Sequence, residues 1–135
     1  MRFARGLLLA VAIAIVTVVG GMAGCASNPL QEISKVFQPS KGDPELQAGI
    51  KLYEDGRYVQ ASKSFENALN IGLSNPGQVT AHKYLAFIHC VSKRERQCRG
   101  HFNSALDIDP GFDLTPAEAG HPMWGPVFRS VKAKR

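Results

Sequence analysis

The chain has 135 residues, of which 44% are hydrophobic and 20% charged, so it holds enough apolar material for one small domain and is too short for a multidomain enzyme. Its formal net charge is +5, and two of its cations, Arg2 and Arg5, lie within the first five residues. The remaining excess is too mild for a nucleic-acid-binding surface, so we expect no nucleic-acid partner.

Residues 1–24 have the order of a secretory signal peptide. A short basic start ends at Arg5, an almost entirely apolar run covers 7–19, and small residues follow from Gly20. The run 6–31 carries no charge and is long enough for an uncleaved transmembrane helix, which is the alternative. The small residues favour cleavage over a retained helix.

The segment Met22-Ala23-Gly24-Cys25 resembles the lipobox of bacterial lipoproteins, with Met22 where Leu is usual. The resemblance implies that Cys25 receives fatty acyl chains such as palmitate and becomes the first residue of the mature chain. Ala26, in place of Asp, implies sorting to the outer membrane. We therefore expect a domain that faces the periplasm and is held to the membrane by its N-terminal lipid.

Residues 25–42 are rich in proline, serine and glycine, which predicts a mostly extended tether. Leu30, Ile33 and Phe37 share one helical face, so a short amphipathic helix over 30–37 stays open as the alternative.

An internal repeat dominates the rest of the chain. Residues 65–71 and 102–108 are similar at an offset of 37 residues, and Gly49 pairs with Ala86 at that offset. Apolar residues recur mainly at three- and four-residue steps, which indicates amphipathic helices. The sequence predicts an all-α fold of two tandem helical hairpins over 43–135.

Breaks in the pattern place the turns of this domain. Asp55-Gly56 turns the first hairpin, Asn75-Pro76-Gly77 precedes the next helix, and Asp109-Pro110-Gly111 closes the second unit. Thr115-Pro116-Ala117-Glu118 is a capping-box pattern. Apolar residues at helical spacing over 124–131 predict a C-terminal helix that caps the second hairpin.

Both units resemble the tetratricopeptide repeat. The first matches at Gly49, Leu52, Gly56, Tyr58, Ala61, Phe65 and Ala68, and the second at Leu85, Ala86, Phe102, Ala105 and Pro110. His89 and Cys98 depart from the pattern, as does Leu73 at the end of the first unit. The resemblance implies a peptide-binding concave side formed by Leu46, Ile50, Tyr53, Glu54, Lys83, Phe87 and Val91. The alternative is that these residues pack against the tether or the terminal helix.

Cys90 and Cys98 lie on either side of the second hairpin turn, and in an oxidising compartment we expect them to form a disulfide. The alternative is a zinc site made by both cysteines with His89 and His101. No nucleophile elbow, carboxylate pair or phosphate loop is apparent, so we predict no catalytic residues, no cofactor and no enzyme activity. His82 and His101 are interpreted as solvated residues of a helix face.

Two basic groups are candidates for an acidic partner or phospholipid headgroups. One is the run 93–96 continued by Arg99, and the other comprises Arg129, Lys132, Lys134 and Arg135. The alternative is that both are ordinary solvated surface.

The run 117–128, which follows Asp109-Pro110-Gly111-Phe112, resembles the signature of the TssQ-type lipoproteins associated with type VI secretion. The run 82–88 and the cysteine pair support this. The resemblance implies an interaction scaffold or accessory factor whose partners are envelope components of the secretion apparatus. A second hypothesis is an assembly or biogenesis factor for outer-membrane proteins or pili.

Overall fold

The computed structural model describes residues 38–135, and this part of the chain is helical with no strand. Its helices are α1 (Asp43–Glu54), α2 (Tyr58–Ile71), α3 (Asn75–Val91), α4 (Glu95–Ile108), α5 (Pro116–Ala119) and α6 (Gly125–Lys132). The prediction of an all-α hairpin fold is confirmed. The predicted signal peptide, Cys25 and most of the predicted tether lie outside the described residues.

The two hairpins repeat with the register found in the sequence. Helices α2 and α4 each have 14 residues and start 37 positions apart. The residue before each adopts the same backbone conformation, with φ −87° and ψ 60° at Arg57 and φ −95° and ψ 64° at Arg94. In both turns its N–H donates to a carbonyl five residues earlier, at 2.8 Å. The two turns are therefore the same structure made twice.

One position of this turn needs a left-handed backbone. The first hairpin places Gly56 there, with φ 74°, and the second places Lys93, with φ 59°. A side chain with a Cβ is disfavoured in this conformation, whereas glycine adopts it freely. The second turn thus carries local strain that the first does not.

Close packing within the first hairpin depends on Gly49. A Cβ at Gly49 would lie 2.7 Å from the ring of Phe65, so α1 and α2 approach each other over the face of this ring. Phe65, Leu85 and Ile88 are almost fully buried and join α2 to α3 in one apolar cluster. The small residue predicted at this crossing is required by the packing.

Helix α3 starts earlier than predicted. Ser74 is its N-cap, with the Ser74 hydroxyl accepting from the Gly77 N–H at 3.4 Å, so residues 75–77 form the first turn of the helix rather than a break before it. Pro76 is tolerated there because the N–H groups of a first turn have no intrahelical acceptor.

The C-terminal segment caps the second hairpin, as predicted. The capping box of α5 is present, with the Glu118 N–H donating to the Thr115 hydroxyl and the Thr115 N–H donating to the Glu118 carboxylate. Helix α6 packs on α4 through Phe128, whose ring lies edge-on to Phe102 at a centroid distance of 5.1 Å. Trp124 and Val131 are buried beside them, so the cap is part of the core.

Candidate interaction surfaces

The groove predicted from the repeat pattern is largely filled. Phe87 is only 2% exposed, and its ring stacks on Trp124 at a centroid distance of 4.2 Å. Leu46 is 5% exposed and belongs to the core of the first hairpin. The prediction that these two residues bind a partner is wrong, because the C-terminal segment covers α3 and the two hairpins pack around Leu46.

The other predicted groove residues remain at least partly accessible. Ile50, Tyr53 and Val91 are half-buried, and Glu54 is exposed. Part of the predicted surface therefore stays accessible, at Ile50, Tyr53 and Glu54 on α1 and at Val91 at the end of α3.

Lys83 is engaged within the domain. Its ammonium donates to the Glu118 carboxylate at 2.7 Å and lies 5.0 Å from the centre of the Tyr84 ring. Burial raises the pKa of Glu118, but hydrogen bonds from Lys83 and from Thr115 outweigh this effect and lower it overall. The backbone carbonyl of Glu118 also accepts from the Trp124 indole N–H at 2.8 Å. Lys83 thus helps to hold the C-terminal segment over α3.

Three tyrosines, one exposed and two half-buried, form an aromatic cluster that we call the tyrosine shelf (Tyr53, Tyr58 and Tyr84). The Tyr53 ring lies 5.3 Å from Tyr58 and 4.9 Å from Tyr84. Burial raises the pKa of Tyr53 to about 12, and the neighbouring tyrosines and Glu118 add to the effect. The Tyr53 phenol consequently stays a protonated hydrogen-bond donor at any physiological pH.

The sequence identified Tyr53 as a partner-binding candidate but missed the other two tyrosines. Tyr58 was assigned only a structural part in the repeat, and it is 39% exposed. The contact of Tyr58 with Tyr53 crosses the hairpin turn and closes only when that turn folds. The sequence signal for this contact was that Tyr53 and Tyr58 lie on either side of the predicted turn at Asp55-Gly56.

The predicted disulfide is present. Cys90 at the end of α3 and Cys98 in α4 are bonded, with their Cα atoms 5.2 Å apart. The alternative zinc site is wrong, since both thiols are consumed by this bond, and the described residues contain no group of three ligands suited to a metal. In the first hairpin the equivalent positions are Tyr53 and Ala61, which pack without a covalent link.

Three histidines cluster instead of lying on a solvated face. The Nδ1 atoms of His82 and His101 are 3.0 Å apart, and the His89 ring stacks on that of His101 at a centroid distance of 5.1 Å. Burial lowers the pKa of all three, that of His101 to about 4, and for His101 the two neighbouring histidines lower it further. The interpretation of His82 and His101 as solvated is wrong, because the α3–α4 hairpin brings them together. The seven-residue spacing of His82 and His89 was the signal that they share a helix face.

The two predicted basic groups differ in what they contact. In the C-terminal group, Lys132 pairs with Asp113 at 2.7 Å, Arg135 pairs with Asp107, and Arg129 donates to the Ala119 carbonyl at 3.0 Å. In the turn group, only Arg99 is paired, with Glu95 at 2.8 Å. The C-terminal cations therefore mostly bind the domain itself.

Comparisons with known proteins give no relative. No protein-family model, no curated protein and no solved structure matches this chain. No helix in residues 38–135 has the length and apolar character needed to cross a bilayer. The tetratricopeptide and TssQ-type resemblances stay predictions.

Proposed function

We propose that this protein is a lipid-anchored periplasmic interaction module of the outer membrane, acting as an accessory or scaffold factor of a type VI secretion apparatus. The lipobox at Cys25 supports the anchor and the compartment. The Cys90–Cys98 disulfide is consistent with an oxidising compartment, where such bonds persist. The secretion system itself rests on the resemblance of residues 117–128 to the TssQ-type lipoproteins.

The tyrosine shelf is the observation that carries the interaction role. Tyrosine is enriched at protein interfaces, because its ring offers a large apolar area with little conformational entropy and its hydroxyl gives a directional hydrogen bond. Tyr53 on α1 contacts both Tyr58 on α2 and Tyr84 on α3, so the three rings form a preorganised platform. A partner segment that packs on them would need little rearrangement of this domain.

Site-specific photo-crosslinking in the native cell tests the proposal. A benzoylphenylalanine at position 58 probes the shelf, and the same residue at Asn67 is the matched control, since both positions are exposed on α2 and lie on opposite sides of that helix. We expect crosslinks to envelope secretion components from position 58 alone. Crosslinks to outer-membrane proteins or pilins would support the biogenesis hypothesis, and equal labelling from both positions would refute the shelf.

The anchor is tested separately by metabolic labelling with a palmitate analogue. We expect label on the wild-type chain and none on Cys25→Ser. Label that persists in Cys25→Ser would disprove lipidation at this cysteine.

A further inference from the structure

The second hairpin places two imidazole nitrogens opposite each other. His82 lies in the middle part of α3 and His101 in the middle part of α4, and their Nδ1 atoms are 3.0 Å apart. Within residues 38–135 neither ring is paired with a carboxylate. Both side chains are half-buried, so solvent and small ions can reach the pair.

Both rings are neutral near pH 7. Burial lowers the pKa of His82 and that of His101, the latter to about 4. A neutral imidazole carries its proton on one of its two nitrogens. If the proton that now lies between the two Nδ1 atoms moves to Nε2 of the same ring, both Nδ1 lone pairs are available with no change in charge. Neutral imidazole is the form of histidine that binds metal ions.

The separation of the two Nδ1 atoms suits a single transition-metal ion. Imidazole nitrogens lie about 2.0 Å from such an ion, so two of them 3.0 Å apart subtend an angle of about 95° at it. This angle is closer to the roughly 90° of neighbouring ligands in tetragonal coordination than to the roughly 109° of a tetrahedral site. Tetragonal coordination by nitrogen and oxygen is typical of Cu²⁺ and Ni²⁺, and Cu²⁺ binds such ligands the more tightly.

His89 supports this pair without adding a third ligand. Its ring is parallel to that of His101, with an interplanar angle of 4° and a centroid distance of 5.1 Å. The lone pair of an imidazole nitrogen lies in the plane of its ring, so the lone pairs of two stacked rings do not converge on one ion. Accordingly, residues 38–135 contain no group of three metal ligands. Stacking on His89 instead limits rotation of the His101 ring.

We propose that His82 and His101 bind one Cu²⁺ ion through their Nδ1 atoms, with water completing its coordination. Cys90 lies eight positions after His82 on α3, so the ion would lie about 12 Å along the helix from the Cys90–Cys98 disulfide. The ion would therefore hold α3 and α4 together at a second point. This inference does not depend on the lipid anchor or on the secretion system.

Calorimetric titration of the full chain with Cu²⁺ tests the proposal, with glycine as a competing ligand. All proteins carry Cys25→Ser, which removes the cysteine outside the disulfide. We expect His82→Gln and His101→Gln each to weaken Cu²⁺ binding at least about tenfold, since the loss of a mere outer-shell partner already costs about 10- to 100-fold.

The matched control is His121→Gln, which removes the histidine that lies outside the cluster, stacked on Trp124. We expect this variant to keep the affinity of the parent protein. The N-terminal amine is common to all variants, so its contribution cancels in the comparison. Circular dichroism checks that each variant keeps the helicity of the parent. Equal weakening by all three substitutions would overturn the proposal.

Pulsed electron paramagnetic resonance counts the imidazoles bound to Cu²⁺. We expect nitrogen couplings from two imidazoles in the parent protein and from one in His82→Gln or in His101→Gln. Couplings from fewer than two imidazoles in the parent would overturn the proposal, and so would couplings from three. Because this spectrum is recorded on the parent protein, the result stands even where a variant fails to fold.

Discussion

Acidification should loosen the second hairpin through the histidine cluster. One of the two facing Nδ1 atoms of His82 and His101 carries a proton that it donates to the other, 3.0 Å away. If both rings are protonated, two donors face each other and two positive charges meet. The His89 ring stacks on that of His101. Burial lowers the pKa of His89, Arg94 lowers it further, and Glu66 on α2 partly opposes these effects.

The direction of the pH effect follows from the difference between the pKa of His101 in the folded state and its pKa in the unfolded state. The pKa of His101 is about 4 in the folded state and 6.5 in the unfolded state, so between these values only the unfolded chain takes up the proton. Stability is complete above pH 6.5 and falls as the pH drops toward 4. One proton contributes at most about 1.4 kcal/mol per pH unit. Because the ring is only partly buried, we expect a loss of about 1–2 kcal/mol from pH 7 to pH 5.

Urea unfolding at several pH values between 7.5 and 5 measures this effect, in a range where most carboxylates stay ionised. The matched variant is His101→Gln, which keeps a polar side chain and cannot titrate. We expect its free energy of unfolding to change less with pH than that of the wild type. Parallel pH profiles for the two proteins would refute the reasoning.

Three further changes test the packing. Trp124→Ala should lower the free energy of unfolding in urea by about 3–5 kcal/mol. Met123 is 41% exposed, so Met123→Ala should change the free energy of unfolding by less than about 0.5 kcal/mol. A similar effect of the two substitutions would mean that the cap is not part of the core. Cys90→Ala/Cys98→Ala should lose about 2–3 kcal/mol of stability and make unfolding insensitive to reductant, in contrast to the wild type. Lys93→Gly should raise stability by about 0.5–1 kcal/mol by relieving its left-handed backbone, and a decrease in the urea midpoint would contradict this.

The sequence predicted features that depend on neighbours along the chain. Helical periodicity, the repeat offset and the capping box at Thr115 are local patterns, and each is present in the structure. The disulfide was predictable because Cys90 and Cys98 lie close to one turn, so its formation needs only that hairpin.

The contacts that the sequence did not predict join distant residues. Phe87 looked like a groove residue because the repeat pattern places it on an inner face, and only the packing of Trp124, 37 positions later, buries it. The Lys83–Glu118 ion pair and the His82–His101 contact arise in the same way. Such contacts depend on where separate helices dock, which no single periodicity encodes.

This burial determines which surface is left for a partner. The C-terminal segment turns the inner face of the second hairpin into core, so Phe87 is buried and Tyr53, in the tyrosine shelf, is the aromatic residue of the predicted groove that stays accessible. Tyr58 belongs to this shelf and is 39% exposed, whereas Val59 next to it is 71% exposed and belongs to no apolar cluster of the described residues. A partner segment that packs on the shelf would bury the Tyr58 ring, so Tyr58→Ala should weaken its binding more than Val59→Ser.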